Sequence, residues 1–405
     1  MAKIILFVTN CSKKSLLIRT ISPVIPLANI VLCIVPYWYA NISKVRTYVN
    51  IFFLLSAVIA IASYQFGQDN DEQTRPQPPL LHRSYTHLKN QTHLQLAFGS
   101  CLNQEEDAPI FEAIKSAQPD LFLMVGDNAY ADIYRDDVTR MRLAYNDLGG
   151  LLASQHLSFP IEAVWDDHDY GTNDGGRNWK HKKAAEQIFL DFWQVPPGDE
   201  RRQHPGVYFQ QRLKLDGAEV QIIYLDTRYF RSDLKETDSR EPGKERYVPT
   251  DDPKATMLGA AQWTWLEAHF ATPADYRLLV SSVQFIAVGH GWEGWKNMPS
   301  ERQRLLNLLD EYSIEDLVIL SGDRHRGALY AAETDGGRRV LEITASPLNR
   351  GVLREEEDGP FRIGSTFTQN NFGVVSIDTP TGQIVLSLND TDGLLLNQYV
   401  AQHGE

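Results

Sequence analysis

From residue 94 onward, short apolar runs alternate with stretches whose apolar positions recur every three to four residues, the patterns of strands and of amphipathic helices. Leu94–Gly99 (LQLAFG) reads as a strand. A helix is expected from Asp107, a residue suited to the N-cap, with Pro109 in its first turn, to about Ala117. Leu121–Val125 (LFLMV) is apolar without interruption, as a strand covered on both faces requires. The same pattern predicts strands at Ile161–Trp165, Val220–Leu225 and Leu317–Leu320, and helices at Trp179–Trp193, Ala260–Phe270 and Ser300–Glu311. The last quarter is strand-rich, with runs at Arg339–Thr344, Phe372–Ile377 and Gln383–Leu388. Strands before and after the helical alternation predict a mixed α/β (α+β) domain over 94–405, built of two stacked sheets with helices outside.

Residues 1–67 follow another pattern. Ile21–Ala40 carries no charge and approaches the roughly 20 residues that span a bilayer, although Pro23, Pro26 and Pro36 interrupt it. Ile51–Ala62 is shorter and ends in Ala60-Ile61-Ala62, the small-x-small pattern of a signal-peptidase site. A two-helix membrane hairpin, a signal-anchor and a cleaved signal all fit, so the membrane is an expected partner through this segment. Lys3, Lys13, Lys14 and Arg19 favour a cytoplasmic N-terminus. Residues 68–93 are polar and aperiodic, as a linker is.

Charge and cysteine content narrow the chemistry. The 405 residues include 52 acidic and 39 basic side chains, a net charge of -13, and no long basic run. A dedicated nucleic-acid partner is therefore not expected. Of three cysteines only Cys101 lies in the main domain, which excludes a disulfide framework there and leaves core filler, reactive thiol or metal ligand.

Polar residues cluster where the apolar runs end. Gly99-Ser100-Cys101, Gly126-Asp127-Asn128-Ala129-Tyr130, Trp165-Asp166-Asp167-His168-Asp169 and Gly322-Asp323-Arg324-His325 each follow a predicted strand, the place where open α/β sheets put their ligand sites. Singly, each is explained as well by a cap, a turn or packing. Jointly they are not, because the adjacent Asp166 and Asp167 repel each other and a cation removes that conflict. Carboxylates from several strand ends can bridge two ions, which would clamp a phosphoryl group and activate a water.

In order along the chain, Phe98-Gly-Ser-Cys101, Val125-Gly-Asp-Asn-Ala-Tyr130, Trp165-Asp-Asp-His-Asp-Tyr-Gly171, Leu225-Asp-Thr-Arg228, Leu258-Gly-Ala-Ala-Gln-Trp-Thr-Trp-Leu266 and Ser321-Gly-Asp-Arg-His325 resemble the signature of PhoD-like alkaline phosphatases and phosphodiesterases, of the calcineurin-like metallophosphoesterase superfamily. The resemblance implies a four-layer αββα sandwich and metal-dependent hydrolysis of phosphoesters. It implies two ions, Fe3+ and Ca2+: Cys101, Asp127, Tyr130, Asp323 and His325 around the iron, Asp127 bridging, and Asp166 or Asp167 serving the second ion. His168 would protonate the leaving group and Arg228 would bind phosphate oxygens, or Arg228 would pair with a neighbouring carboxylate. Asn173 would supply a further oxygen ligand or a phosphate donor, or be only a turn residue. A thiolate and a phenolate independently suit a ferric ion, and a carboxylate-rich side suits calcium.

The chain departs from the wider superfamily in having Ser100-Cys101 where an Asp-x-His is usual, and His290 is not expected to bind metal. It lacks a twin arginine near the N-terminus, while the resemblance favours an exported, extracytoplasmic location. The rival class is a catalytically silent, membrane-tethered calcium module. A nuclease is disfavoured by the lack of a basic groove.

Overall fold

In the computed structural model, residues 84–134, 137–352 and 359–404 are described; all belong to the unit Pro76–Glu405. The apolar segments expected in residues 1–67 lie outside them. Among the described residues no helix is long and apolar enough to cross a membrane.

After a short 3-10 turn at Thr86–Asn90 come β1 (His93–Gly99), α1 (Ile110–Ser116), β2 (Leu121–Val125), α2 (Thr139–Ser154), β3 (Ile161–Val164) and the single turn α3 (Asp167–Tyr170). Then follow α4 (Lys182–Phe192), β4 (Phe209–Lys214), β5 (Glu219–Tyr224), the short ribbon β6 (Lys235–Glu236) and β7 (Tyr247–Val248), α5 (Gly259–Phe270), β8 (Tyr276–Val280), α6 (Pro299–Glu311) and β9 (Leu317–Ser321). The chain closes with β10 (Gly327–Glu333), β11 (Arg339–Thr344), β12 (Arg362–Phe367), β13 (Asn371–Asp378), β14 (Gln383–Asp390) and β15 (Leu395–Gln402). The expected elements are present with ends shifted by a few residues. Helix α1 starts later than its expected cap: Pro109, in helical conformation, takes the cap position before Ile110, with no side-chain capping bond.

One sheet runs β15-β14-β13-β1-β2-β3 and the other β12-β10-β11-β9-β8-β5-β4. Within them β1, β2 and β3 are mutually parallel, as are β5, β8, β9 and β11. Side-chain alternation along the parallel strands builds the layers. Leu121, Leu123 and Val125 of β2 meet Ile222 of β5 and Leu320 of β9 between the sheets. Phe122 and Met124 point the other way, onto Ile114, Leu148 and Phe189 of the helices on that side. On the far side Ile223, Leu279 and Ile319 pack on Trp263, Leu266 and Leu309. Helix, sheet, sheet and helix thus stack in that order, and β1, β2, β3, β5 and β9 deliver their following loops at strand C-terminal ends.

Strand β8 has an arginine inside its apolar run, which hides it from a hydropathy reading. Arg277 is buried, with its Nε donating to Gln221 Oε1 of β5 at 2.8 Å, so the charge is partnered rather than misplaced.

Candidate metal centre

The loops leave their strands through tight turns. Gly126 has φ +104 and a Cβ there would lie 2.5 Å from Asp166 Cβ; only glycine admits this turn. Cys101, Asp127, Asp323 and His325 themselves take left-handed φ values of 56°, 50°, 64° and 51°, unusual for residues with a side chain. The β1 and β2 loops are tied together by Cys101 N donating to Gly126 O (3.3 Å) and Leu102 N to Asp127 O (2.9 Å). Helix α3 is bound to the β2 loop through Asp169, which accepts from Asp166 N at 2.6 Å and from Asn128 Nδ2 at 2.6 Å.

Among the described residues, besides the groupings Asp127–Asp167–His168 and Asp167–Asp174–Glu293, two sets of donor atoms lie within 4.8 Å of one another: Cys101, Asp127 and His325, and Asp127, Asp166, Asp167 and Asp323. Asp127 belongs to both. Tyr130 joins the first, its hydroxyl 3.4 Å from His325 Nε2. Sequence reasoning grouped Asp323 with Cys101, but its carboxylate stands with the second set and only its main-chain carbonyl faces the thiol, 3.6 Å from Sγ. His325 Nδ1 lies 2.6 Å from Arg350 O, which turns Nε2 toward the site. Ser346 Oγ is 3.1 Å from Cys101 Sγ and accepts from His325 N at 3.0 Å.

The second set is built around oxygens that want a cation. Asp166 Oδ1 accepts from Arg228 Nε and Ser282 Oγ, both at 2.5 Å, while Oδ2 is buried with no partner. Asp167 Oδ2 accepts from Asp174 N at 2.6 Å, and Oδ1 is likewise buried and unpartnered. Burial and the neighbouring acids push Asp127 and Asp323 well up from the usual carboxylate range. Asp166 is pushed up to about 6, burial outweighing the Arg228 charge. Asp167 goes the other way: in spite of burial, His168 and Arg228 hold it down. Burial pushes the Cys101 thiol up to about 12 and raises Tyr130 as well. Protons on these groups are the alternative to metal, and bound cations would displace them. The residues fit two ions, one with a thiolate, a phenolate and an imidazole, the other with carboxylates only.

His168 lies at the edge, its Nδ1 2.6 Å from Asp132 Oδ2 and its main-chain N donating to Asp127 Oδ1 at 3.3 Å. Burial disfavours the imidazolium, but Asp167, Asp127 and Asp132 overcome it and push His168 up to about 11.

The model of the PhoD-like phosphatase family matches residues 96–379. The chain belongs to that family. Alkaline phosphatase D of Bacillus subtilis (strain 168) is 22% identical to this PhoD-like chain over 199 residues, 43% of the chain and 32% of the length of that curated relative. The solved structure of PhoD superposes with a TM-score of 0.59 at 17% identity, covering 78% of this chain and 69% of that one. A purple acid phosphatase from yellow lupin (Lupinus luteus) seeds gives a TM-score of 0.52 at 10% identity, covering 77% and 54%. At such identities the likeness to solved structures is one of fold, a mixed α/β architecture shared with PhoD and with that purple acid phosphatase.

For Arg228 and Asn173 the sequence left two roles open, and the structure places them in an ion-pair network and in a turn. Arg228 is fully buried, with its guanidinium on Asp166 and, at 2.5 Å, on Glu293; it holds a carboxylate instead of facing an open phosphate pocket. Asn173 is exposed in the turn after α3. Its neighbour Asp174 turns inward, taking Tyr247 Oη at 2.7 Å and Arg246 at 2.7 Å. Sequence reasoning missed Asp132, Asp174, Glu293 and Ser346, which lie outside the short motifs and become visible only when the loops meet. His290 is buried between Gln284 and the Trp292 amide, in keeping with a packing role.

Proposed function

We propose that this chain hydrolyses phosphoesters with two cations, Cys101, Asp127, Tyr130 and His325 holding one and Asp127, Asp166, Asp167 and Asp323 the other. The observation that carries this reading is the shared Asp127 beside the buried, unpartnered oxygens of Asp166 and Asp167. Strong anionic donors in the first set favour Fe3+, and the oxygen-only second set favours Ca2+. When bound, the ions would supply Lewis-acid polarisation of the phosphoryl group and a water of lowered pKa.

The chain's own residues do the rest. Arg228 and Ser282 fix one oxygen of Asp166, so the other is presented in one direction. Asp132 pins His168 through Nδ1, leaving Nε2 to carry a proton to the departing alkoxide. The Asp132 carboxylate beside Nδ1 supports the protonated ring. A silent calcium module is the weaker reading, since a structural calcium site takes oxygen donors and has no use for the thiol of Cys101.

The test is to purify the chain and measure metal content and hydrolysis of an aryl phosphomonoester and a diester on the same sample. Asp127→Asn is expected to lose both ions and at least 100-fold in rate, as removal of a catalytic electrostatic group does. Full metal and full rate in that variant would overturn the shared-ligand assignment. Calcium alone with no hydrolysis in the wild type would favour the silent module.

A further inference from the structure

With Arg228 closed inside the ion-pair network, the cation that receives the substrate must be sought elsewhere. Fractional exposure rises from Cys101 at 0% through Tyr130 at 9% to the His168 side chain at 20%, which marks the direction in which the site opens. Next in that series stands Arg350, its side chain 44% exposed. Its Cζ lies 4.4 Å from the centroid of the Tyr130 ring, and the same ring packs against His168, tilted by 39° with centroids 4.4 Å apart. Arg228, Arg231 and Arg324 are by contrast buried, at 0%, 1% and 3%.

Arg350 is placed by a rigid loop. Leu348 is buried and its N–H donates to Ser100 O at 2.8 Å. Asn349, also buried, accepts from Asn103 N at 2.7 Å and donates to Asn103 O at 2.9 Å. The Arg350 carbonyl meets His325 Nδ1 at 2.6 Å, so the main chain of this residue is anchored to the metal centre while its guanidinium stays in the mouth. Stacking on Tyr130 orders the guanidinium without using its N–H groups. Its ion pair among the described residues, Nη1 to Glu106 Oε1 at 3.6 Å, is long and joins two half-exposed side chains, a weak tether that an incoming anion can displace.

We propose that Arg350 binds the free phosphoryl oxygens of the substrate at the mouth of the site and that it favours a dianionic phosphomonoester over a monoanionic diester. The proposal rests on the phosphoester reading above. A monoester dianion offers three non-bridging oxygens and two charges to a planar fork of donors, whereas a diester offers two such oxygens and one charge. Arg350 is thus a specificity-determining residue, held in reserve by Glu106 until substrate arrives.

The experiment uses the metal-loaded full chain and reads two things. The first is the dissociation constant of inorganic phosphate by calorimetry, and the second is kcat/KM for an aryl monoester and for its methyl diester. Arg350→Gln is expected to weaken phosphate about tenfold, to raise KM for the monoester more than for the diester, and to leave kcat within about twofold; Arg350→Lys should recover part of the loss. Glu106→Gln, which keeps the oxygen facing Asn103 but drops the charge, should shift phosphate affinity the opposite way. Unchanged phosphate affinity and an unchanged monoester-to-diester ratio in Arg350→Gln overturn the proposal. Should that variant lose metal, Glu106→Gln decides: tighter phosphate supports the role and unchanged affinity ends it. A wild type that binds phosphate through Arg350 yet hydrolyses no ester would count against the catalytic reading and not against this one.

Discussion

At the scale of single residues, Cys101 and His168 make opposite demands on the same few ångströms. Cys101 is fully buried with Asp127 Oδ2 at 3.4 Å and a thiol pushed up to about 12, so as a free thiol it would be inert. Ionisation there requires a cation. Cys101→Ser should therefore lose iron preferentially while calcium is retained, a change read directly by elemental analysis; equal iron in both proteins would return Cys101 to packing. His168 has its charge supported by Asp167, Asp127 and Asp132 against the cost of burial. His168→Ala is expected to keep both ions and to slow an alkyl phosphate about 100-fold more than an aryl one, since only the poor leaving group needs the proton. Asp132→Asn removes one of the charges that raise the histidine. Its proton is then lost at lower pH, and the alkaline limb of the rate profile should move down by about one unit; an unmoved limb would mean that another group sets it. The proposed ligand residues stood out as motifs because metal chemistry restricts the residue types it uses. Arg228 was legible only as a residue, since its partner Glu293 lies 65 positions away in the chain.

At the scale of elements, the site is a product of strand ends, and that much follows from hydropathy alone. The uninterrupted apolar run Leu121–Val125 announces a strand covered on both faces, and the structure buries all five residues. Alternation is less informative where a charge is partnered inside the sheet, as Arg277 is in β8, or where glycines break the helical pattern, as Gly149 and Gly150 do in α2. The turn at Gly126 carries a further prediction. Gly126→Ala drives a methyl group into Asp166 and Ser282 and forces a left-handed turn on a residue with a Cβ, so the fold should lose roughly 1–3 kcal/mol and the second ion should bind less tightly. Thermal melting and calcium titration would show both effects; a variant that melts and binds as the wild type does would mean that the loop rearranges freely. Glu342 is another device of this scale, buried on β11 and accepting from Phe285 N, Ile286 N and Ser321 Oγ, so it fixes the loop that leads to Glu293.

Over the whole molecule, a net charge of -13 coexists with a centre proposed to take phosphate, and the balance would be struck locally by arginines, some buried as fixed counter-charges and one half-exposed. Lys296 is a different kind of internal cation. Its ammonium donates to the carbonyls of His290 and Trp292, and burial beside Arg324 pushes it down to about 7. Because the folded value lies below the unfolded one near 10.4, the charged form burdens the fold below about pH 7, and the burden fades as pH rises toward the unfolded value. Relative to Lys296→Met, the wild type should gain stability from pH 7 to pH 10, by an amount on the order of a few kcal/mol, measurable by denaturant melts across that range; parallel stability curves would refute it. The left-handed backbone at Cys101, Asp127, Asp323 and His325 reaches beyond catalysis, into how the protein ages. Each such residue costs roughly 1 kcal/mol, which ligation can offset only while the ions stay. Without ions the wild type should then be less durable than Asp323→Gly, which gives up one proposed ligand and is expected to melt about one to three degrees higher when both are compared metal-free, so drift under relaxed selection would erase the proposed ligands first and leave a sturdier shell behind.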